Sequence, residues 1–384
     1  SIICNLMEII SKKIINVLID NIDPEKGILG NITKTTDTFY TIEDIFSEAT
    51  INYYASGTLL CKNKLIDNWI YPIIVHNLTF INFMFDWGET DRDIIALLPT
   101  RVRRLYFEGR GTIVIFIKEP FQTMNPNNND LKNFIAMIEQ NPRYKNVIFL
   151  TLHHIDSPNF IWTNVIENTM ENWGPLYSDS YIQSYDTLEE YKNRRFLCLL
   201  LNYKESWERE VLLKFFYENN MLDKGFISAK DYPSSKVFNN LDIKSSLIKT
   251  LINIIPEGNF SSIGHHYLSE KTYRSFLYKK PFIYIGKYQS LKYIKSLGYK
   301  TFSPIIDEEY DDIKDDKFRL LRLCEEIKRL VDKPKQDFIN DMMQLKNICK
   351  HNYNLYLQYK HESKNKFYKK IYGTYNEPYN NKKL

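Results

Sequence analysis

The chain of 384 residues lacks the features by which several classes of protein are recognised. Its five cysteines are odd in number and far apart, with no CxxC pair, which argues against a disulfide framework or zinc knuckle and favours a reducing compartment. With only 13 glycines and 14 prolines, the chain is neither collagenous nor largely disordered. Phosphate-loop, nucleophile-elbow and dinucleotide fingerprints are missing, so ATPase, hydrolase and dehydrogenase functions lose their usual signatures.

The chain also lacks a marked excess of either charge. Its 51 basic and 47 acidic residues leave a net charge of +4, which provides no general field for gripping a nucleic-acid backbone. The longest charge-free run, residues 69–85, is interrupted by Pro72, His76 and two asparagines and is a poor membrane span. The apolar N-terminal segment has no small-residue cleavage site. We therefore expect a cytoplasmic protein with no integral membrane segment.

What the chain does contain is a repeated alternation of strand and helix patterns. Apolar runs such as TIVIFIKEPF and KNVIFLTLHH alternate with segments of helical periodicity such as NDLKNFIAMIEQN. A polar segment at 178–194 separates this half from a second one with the same alternation. The pattern predicts an α/β protein with two Rossmann-like, doubly wound domains facing across a cleft, at residues 1–192 and 193–334.

Residues 335–384 are predicted to form a long helix and a basic tail. Apolar residues recur at helical spacing from Phe338 onwards, and seven lysines lie beyond Tyr359 against only two glutamates. The simplest interpretation is a solvated helix face with a frayed end. Contact with a membrane surface, a nucleic acid or a partner is the alternative.

Two cations stand where a helix normally disfavours them. In YLSEKTYRSFLYKKPFIYIG, Ser269 can cap a helix and Glu270 suits its positive end, but Lys271 in the first turn opposes the macrodipole. Arg209, three residues after Ser206, repeats the anomaly. Each is explained if a phosphate group occupies the helix start, although a single cation there is most often a solvated side chain.

Around these positions the chain resembles a known family. The segments IPEGNF and LSEKTYRSFLYKKPFIYIG resemble the acidic-Asn segment and the T/S-E-K helix of fucosyltransferase-like enzymes, which are two-domain glycosyltransferases of the GT-B architecture. QSLKYIKSLGYKTFSPIIDEEYDD is still more similar to glycosyltransferase-like proteins of phages, large viruses and marine microbes. The resemblance is strongest over residues 196–330.

The resemblance implies a glycosyltransferase that moves a sugar from a nucleotide-sugar to a hydroxyl of a glycan, protein or other acceptor. It implies no metal or other cofactor, because cations would stabilise the leaving diphosphate. The loop at residues 203–208 departs from the family, with two acids where basic residues are usual, which puts the affinity for the donor or the identity of the nucleotide in doubt. The matching positions imply substrate-binding roles for Asn202, Arg209, Glu257, Asn259, Ser269, Glu270 and Lys271.

Two further site predictions concern the base and a metal. GTIVIFIKEPF resembles a strand of these proteins that ends in an acid, which points to Glu119 as the base that activates the acceptor hydroxyl. The acidic run at residues 307–316 matches neither an EF-hand nor a strand-end DxD pair, so we expect solvated structure there and no metal site.

Two other functions remain open from the sequence. The chief alternative is a non-catalytic structural or interaction protein that retains this fold, for example a virion component, and the acids in the 203–208 loop favour it. Localisation would then be a virion or the cytoplasm of an infected cell. Nucleic-acid binding through the aromatic and lysine-rich surface at 353–372 is the third, and it predicts steep salt dependence.

Overall fold

The computed structural model describes residues 13–19, 49–55, 69–75, 95, 98, 100–109, 111–117, 130–151, 153–162, 194–200, 202–239, 241, 243–258, 260 and 266–372. The chain divides into two compact units, Ser1–Asn172 with Lys360–Leu384, and Trp173–Tyr359. We call them unit 1 and unit 2. The first boundary lies after Asn172 where the sequence suggested residue 192, and the C-terminal region is split after residue 359.

Unit 1 contains a parallel sheet of six strands in the order β2-β1-β3-β4-β5-β6. The chain leaves β1 for β2 on one side and then returns to the other side of β1 with β3, which is doubly wound topology. The strands and the two described helices of this half are β1 (Lys13–Ile19), β2 (Ala49–Ala55), β3 (Trp69–Val75), α1 (Thr100–Phe107), β4 (Gly111–Ile117), α2 (Asp130–Gln140), β5 (Val147–Thr151) and β6 (Phe160–Trp162).

Unit 2 contains a second parallel sheet, of four strands in the order β10-β9-β7-β8. Here the winding reverses between β7 and β9. Its elements are β7 (Phe196–Leu199), α3 (Trp207–Glu218), β8 (Gly225–Ser228), α4 (Ile243–Ile248), β9 (Ile252–Pro256), α5 (Glu270–Leu277), β10 (Phe282–Ile285) and α6 (Ser290–Ser296).

Burial explains why these strands could be predicted. Every residue of β5, β7, β9 and β10 is buried, as expected for parallel strands covered on both faces, so each reads as a mainly apolar run. The polar exceptions are Thr151 at the end of β5 and Asn253 in β9. The α/β class predicted from the sequence, with parallel sheets, is confirmed.

Three helices follow in the C-terminal region, α7 (Asp316–Val331), α8 (Lys335–Gln344) and α9 (Lys346–Tyr372). The single helix predicted from residue 335 is therefore two helices, which meet at Leu345. Asn352, which interrupts the apolar pattern, lies within α9 and is 1% exposed. Its side chain accepts from Lys300 N at 2.8 Å and donates to Lys300 O at 2.8 Å, so it replaces an apolar contact with a pair of hydrogen bonds. No helix in these described ranges is long and apolar enough to span a bilayer.

One lysine in the lysine-rich end of α9 forms hydrogen bonds within the protein. Lys366 Nζ donates to Ser157 O at 2.7 Å and to Phe160 O at 2.9 Å, both in unit 1. Burial lowers the pKa of Lys366 and of Lys370. Lys366 is exposed, as a solvated face predicts, but its ammonium also bonds to the protein. The basic residues beyond 372 lie outside the described part of the chain.

The acidic run at 307–316 binds the protein's own backbone. Asp311, which is 8% exposed, accepts from the N–H groups of Leu291 and Lys292 at 3.0 and 3.1 Å, at the start of α6. Asp315 caps α7 by accepting from Lys317 N and Phe318 N at 2.9 and 3.0 Å. Within the described residues no cluster of three or more His, Cys, Asp or Glu could hold a metal ion.

A partly buried histidine in unit 1, His154, predicts sensitivity to acid. The His154 ring stacks on Trp162, with centroids 4.7 Å apart, and burial lowers the pKa of His154 to about 4. The unfolded chain takes up this proton near pH 6.5 but the folded one only near pH 4, so stability is full above pH 6.5 and falls through this window. We expect a loss of up to about 3 kcal/mol from this residue at pH 4.

Urea denaturation at pH 7 and pH 4.5 measures this loss. His154→Phe keeps an aromatic ring in the stack and should flatten the pH dependence, while His361→Gln, at an exposed position, should leave it unchanged. An equal pH dependence in wild type and His154→Phe would show that His154 is not responsible.

Candidate functional site

The candidate site lies at the carboxyl ends of β7 and β9, where the winding of the second sheet reverses. In open parallel sheets the two connections leave such a point on opposite faces, so a crevice opens between them. The connection after β7 leads to Arg209 in the first turn of α3, and β9 ends directly before Glu257. The fold thus brings to one edge two residues that lie 48 positions apart.

Glu257 is a buried carboxylate, 2% exposed, with its two oxygens in different environments. Oε1 accepts hydrogen bonds from Ser269 Oγ at 2.8 Å, Thr272 Oγ1 at 2.9 Å and Ser269 N at 3.3 Å. Oε2 is buried and no described residue donates to it. Burial raises the pKa of Glu257, Lys271 opposes the rise and Glu270 adds to it. The site therefore contains one saturated and one unsatisfied carboxylate oxygen.

Arg209 reaches the same strand end from the other side. Its Nη2 donates to Pro256 O at 3.4 Å, a long bond, and lies 3.9 Å from where a side chain on Gly258 would begin. Its Nε is buried and has no acceptor among the described residues. The guanidinium therefore has hydrogen-bonding capacity left over beside a backbone that glycine keeps open.

The start of α5 carries Ser269, Glu270 and Lys271 as predicted. Ser269 is the N-cap and accepts from Lys271 N at 3.2 Å. The N–H groups of Thr272 and Tyr273 bond to Ser269 O at 3.1 and 3.3 Å, and that of Ser269 bonds to Glu257. The free N–H groups expected at this helix start are therefore already used, partly by an internal carboxylate.

The charges of Glu270 and Lys271 are paired and mostly screened from water. Lys271 Nζ lies 3.3 Å from Glu270 Oε1, and the two side chains are 19% and 20% exposed. Burial opposes ionisation of Glu270, but Lys271 and Arg274 outweigh it and hold the pKa of Glu270 below its usual range. Glu270 therefore remains ionised beside the site.

Other predicted residues are not brought into this cluster. Asn202 is exposed and precedes the short 3-10 helix Tyr203–Glu205. Glu208, one of the two acids in the departing loop, is 5% exposed and accepts from Ser206 Oγ. Glu208 therefore has a structural role at the start of α3. Glu119 and Asn259 lie outside the described residues.

Several residues that surround the site were missed by sequence reasoning. A small pocket, with about 10 Å³ of space for a water-sized group, opens between the ends of β9 and β10, beside Glu257. Burial lowers the pKa of Lys287 in this pocket to about 8. The sequence signal that could have identified this site is Gly286-Lys287 directly after the apolar run FIYI. It parallels Glu257-Gly258 directly after β9. The pocket is lined by Glu257, His266, Tyr267, Tyr284, Gly286, Lys287 and Ser290.

Arg319 joins the loops that follow β9 and β10. This residue of α7 is 1% exposed, and its guanidinium donates to Gly286 O at 3.2 Å and to Phe260 O at 3.0 Å. Its Cζ lies 4.4 Å from the centre of the Phe260 ring. Further bonds go to Ile313 O, Lys314 O and Asp316. Arg319 therefore positions both strand ends that frame the pocket.

Comparisons with known proteins give weak structural likenesses only. No protein-family model matches the chain, and no curated protein sequence matches it. An α1,3-fucosyltransferase structure aligns over 96% of this chain and 93% of its own, with 10% identity and a TM-score of 0.45. An α1,3-fucosyltransferase structure with GDP-fucose aligns over 88% of this chain and 83% of its own, with 10% identity and a TM-score of 0.43. The structure of the glycotransferase of kitacinnamycin aligns over 94% of this chain and 99% of its own, with 8% identity and a TM-score of 0.39. Function must therefore be inferred from the site itself.

Proposed function

We propose that the chain is a glycosyltransferase of the two-domain GT-B type and that unit 2 binds its nucleotide-sugar at the edge formed by β7 and β9. One observation carries this proposal. Arg209 and Glu257, contributed by two different connections, meet at the reversal point, and each has a buried polar atom that no described residue satisfies. Buried polar groups are normally paired, so two unsatisfied ones at this edge of the sheet favour the binding of a polar ligand there.

The diphosphate of the donor would lie against Arg209, over Gly258. A guanidinium can bond two phosphate oxygens at once, and the absence of a side chain at Gly258 allows close approach. Lys271 would add a second positive charge by turning from Glu270 to the ligand. Because the first N–H groups of α5 are already bonded, these two cations, rather than the helix start, would stabilise the leaving diphosphate without a metal.

The remaining proposed roles follow from the chemistry of each group. Glu270 would accept hydrogen bonds from the ribose hydroxyls, with Asn202 and Asn259 as further donor contacts. The acceptor hydroxyl would attack the anomeric carbon, a new C–O bond would form as the bond to the diphosphate breaks, and Glu119 would take the hydroxyl proton. The acceptor would bind on the side of unit 1.

A non-catalytic protein is the second candidate. The observation that favours it is the internal carboxylate at the start of α5, where Glu257 occupies part of the position an anion could take. A protein that no longer binds a donor could keep this closed arrangement as a stable core.

Thermal denaturation with nucleoside diphosphates and their sugars tests the proposal. Wild type should be stabilised by at least one nucleotide, by about 2.7 kcal/mol at a concentration of 100 times Kd. Lys271→Ala should weaken this stabilisation, because it removes a cation beside the diphosphate. Lys328→Ala removes an equal charge from the last turn of α7 and should not.

If no nucleotide stabilises wild type, the glycosyltransferase proposal fails and the non-catalytic candidate takes its place. If a nucleotide binds, sugar transfer by wild type and its loss in Glu119→Gln would test the proposed base. Undiminished transfer by Glu119→Gln would remove Glu119 from that role.

A further inference from the structure

The unsatisfied oxygen of Glu257 points to a specific partner. Oε1 is saturated by three donors from Ser269 and Thr272, at the start of α5. Oε2 is buried, and the described residues supply no donor to it. A carboxylate oxygen left without a hydrogen bond in the protein interior is strongly unfavourable. Some group that donates a hydrogen bond is therefore expected beside Oε2.

The pocket lined by Glu257 has walls that contacts with neighbouring residues hold in place. One wall is Tyr284, whose hydroxyl donates to Tyr267 O at 3.1 Å. Another wall is His266, stacked on Tyr293 with ring centroids 5.3 Å apart. At Gly286 a Cβ would come within 2.2 Å of the Tyr284 ring, so a larger residue cannot stand there without displacing that wall. Glycine at this position therefore leaves room for the Tyr284 ring to form that wall.

The size and charge of the pocket limit what can enter. The space that a water-sized group can occupy in it is about 10 Å³, roughly one water molecule, which suits a single hydroxyl. Glu257 can accept a hydrogen bond and the ammonium of Lys287 can donate one. A sugar hydroxyl does both at once, whereas a phosphate oxygen has no proton to donate to Glu257.

We propose that this pocket binds one hydroxyl of the transferred sugar, which donates to Glu257 Oε2 and accepts from Lys287. The inference rests on the proposed function, which it deepens. The pocket would hold the sugar rather than the ribose. Oε1 is bonded to the start of α5, and Glu270, in the same turn, would bind the ribose. Glu257 also lines the pocket formed with the end of β10, and Oε2 is the oxygen that the donors from α5 leave available for it.

Glu257→Gln is the sharpest test, because glutamine has nearly the same shape. Its carbonyl oxygen can keep the bonds from Ser269 and Thr272, while an NH₂ group, which cannot accept, replaces Oε2. Binding of UDP, UDP-glucose, GDP and GDP-fucose should be measured by calorimetry for wild type and variant. We expect the variant to bind the matching nucleotide-sugar about 10–100-fold more weakly and the free nucleotide equally well.

Two further variants make the result decisive. Lys287→Met should show the same selective loss, since it removes the other partner of the hydroxyl while keeping the length of the side chain. Glu325→Gln, an exposed position on α7, makes the same chemical change elsewhere and should have no effect. Thermal denaturation of each variant without ligand confirms that it is folded.

The outcomes separate the inference from the function on which it rests. If no nucleotide or nucleotide-sugar binds wild type, the proposed function fails. If ligands bind but Glu257→Gln and Lys287→Met affect none of them, the pocket holds only water and the inference is overturned. If nucleotide and nucleotide-sugar lose affinity equally, the pocket serves the nucleotide, and the inference is again overturned.

Discussion

Replacing Arg319 with methionine should lower the free energy of unfolding by about 3–5 kcal/mol. Its guanidinium is 1% exposed and donates to four backbone carbonyls, those of Phe260, Gly286, Ile313 and Lys314. Methionine fills much of the volume but leaves these carbonyls without their donor and Asp316 without its partner. Leaving buried polar groups unsatisfied is among the costliest effects of a single substitution.

Arg322→Met is the matched control. Arg322 lies three residues further along α7 and pairs with Asp307 and Glu325, but its side chain is 36% exposed, so water can replace the lost contacts. We expect a change of no more than about 1 kcal/mol. Urea denaturation of both variants measures the difference. Equal losses would mean that the Arg319 network contributes no more than a surface ion pair.

Replacing Arg209 with alanine should weaken nucleoside-diphosphate binding about 100-fold, equivalent to about 3 kcal/mol. The guanidinium lies over the open backbone at Gly258, so its loss removes the main charge proposed for the diphosphate. Inorganic pyrophosphate should lose affinity to a similar extent, because the proposed contact is to phosphate and not to the nucleoside. Calorimetric titration with both ligands measures the two effects.

Lys214→Ala is the control for this prediction. Lys214 lies on the same helix with its side chain 72% exposed and forms an i,i+4 pair with Glu218, so its removal changes the net charge equally without touching the site. If Lys214→Ala and Arg209→Ala weaken binding alike, the attraction is a general effect of charge. If Arg209→Ala binds as wild type does, the diphosphate lies elsewhere.

The strands and helices of unit 2 could be predicted because their signals are local. β9 and β10 are buried throughout and are apolar except for Asn253 in β9, and Ser269 lies at the helix start where a cap was expected. The position of Glu257 at a strand end followed from the same pattern. A hydroxyl cap and a continuous apolar strand need only a few neighbouring residues to be recognised.

The partners of the site residues could not be predicted, because they come from distant parts of the chain. Arg319 and Arg322 lie on one helix with similar sequence surroundings, yet the first is buried and the second is not. The bond between Thr272 and Glu257 likewise depends on how α5 packs against β9. Helical periodicity identifies the helix but does not say which charged side chain the neighbouring loops will surround. The predictions for Glu119 and Asn259 stay predictions.

The split of the C-terminal segment between the units affects the order in which the protein can fold during synthesis. Phe367 and Ile371, near the end of α9, are buried, and Lys366 bonds to carbonyls at residues 157 and 160. A ribosome adds these residues only after the whole of unit 2 has been made. Domains usually fold in order from the N-terminus during synthesis. Here the order can be reversed, because unit 2 can complete its core before the ribosome has made the last helix turns that unit 1 needs.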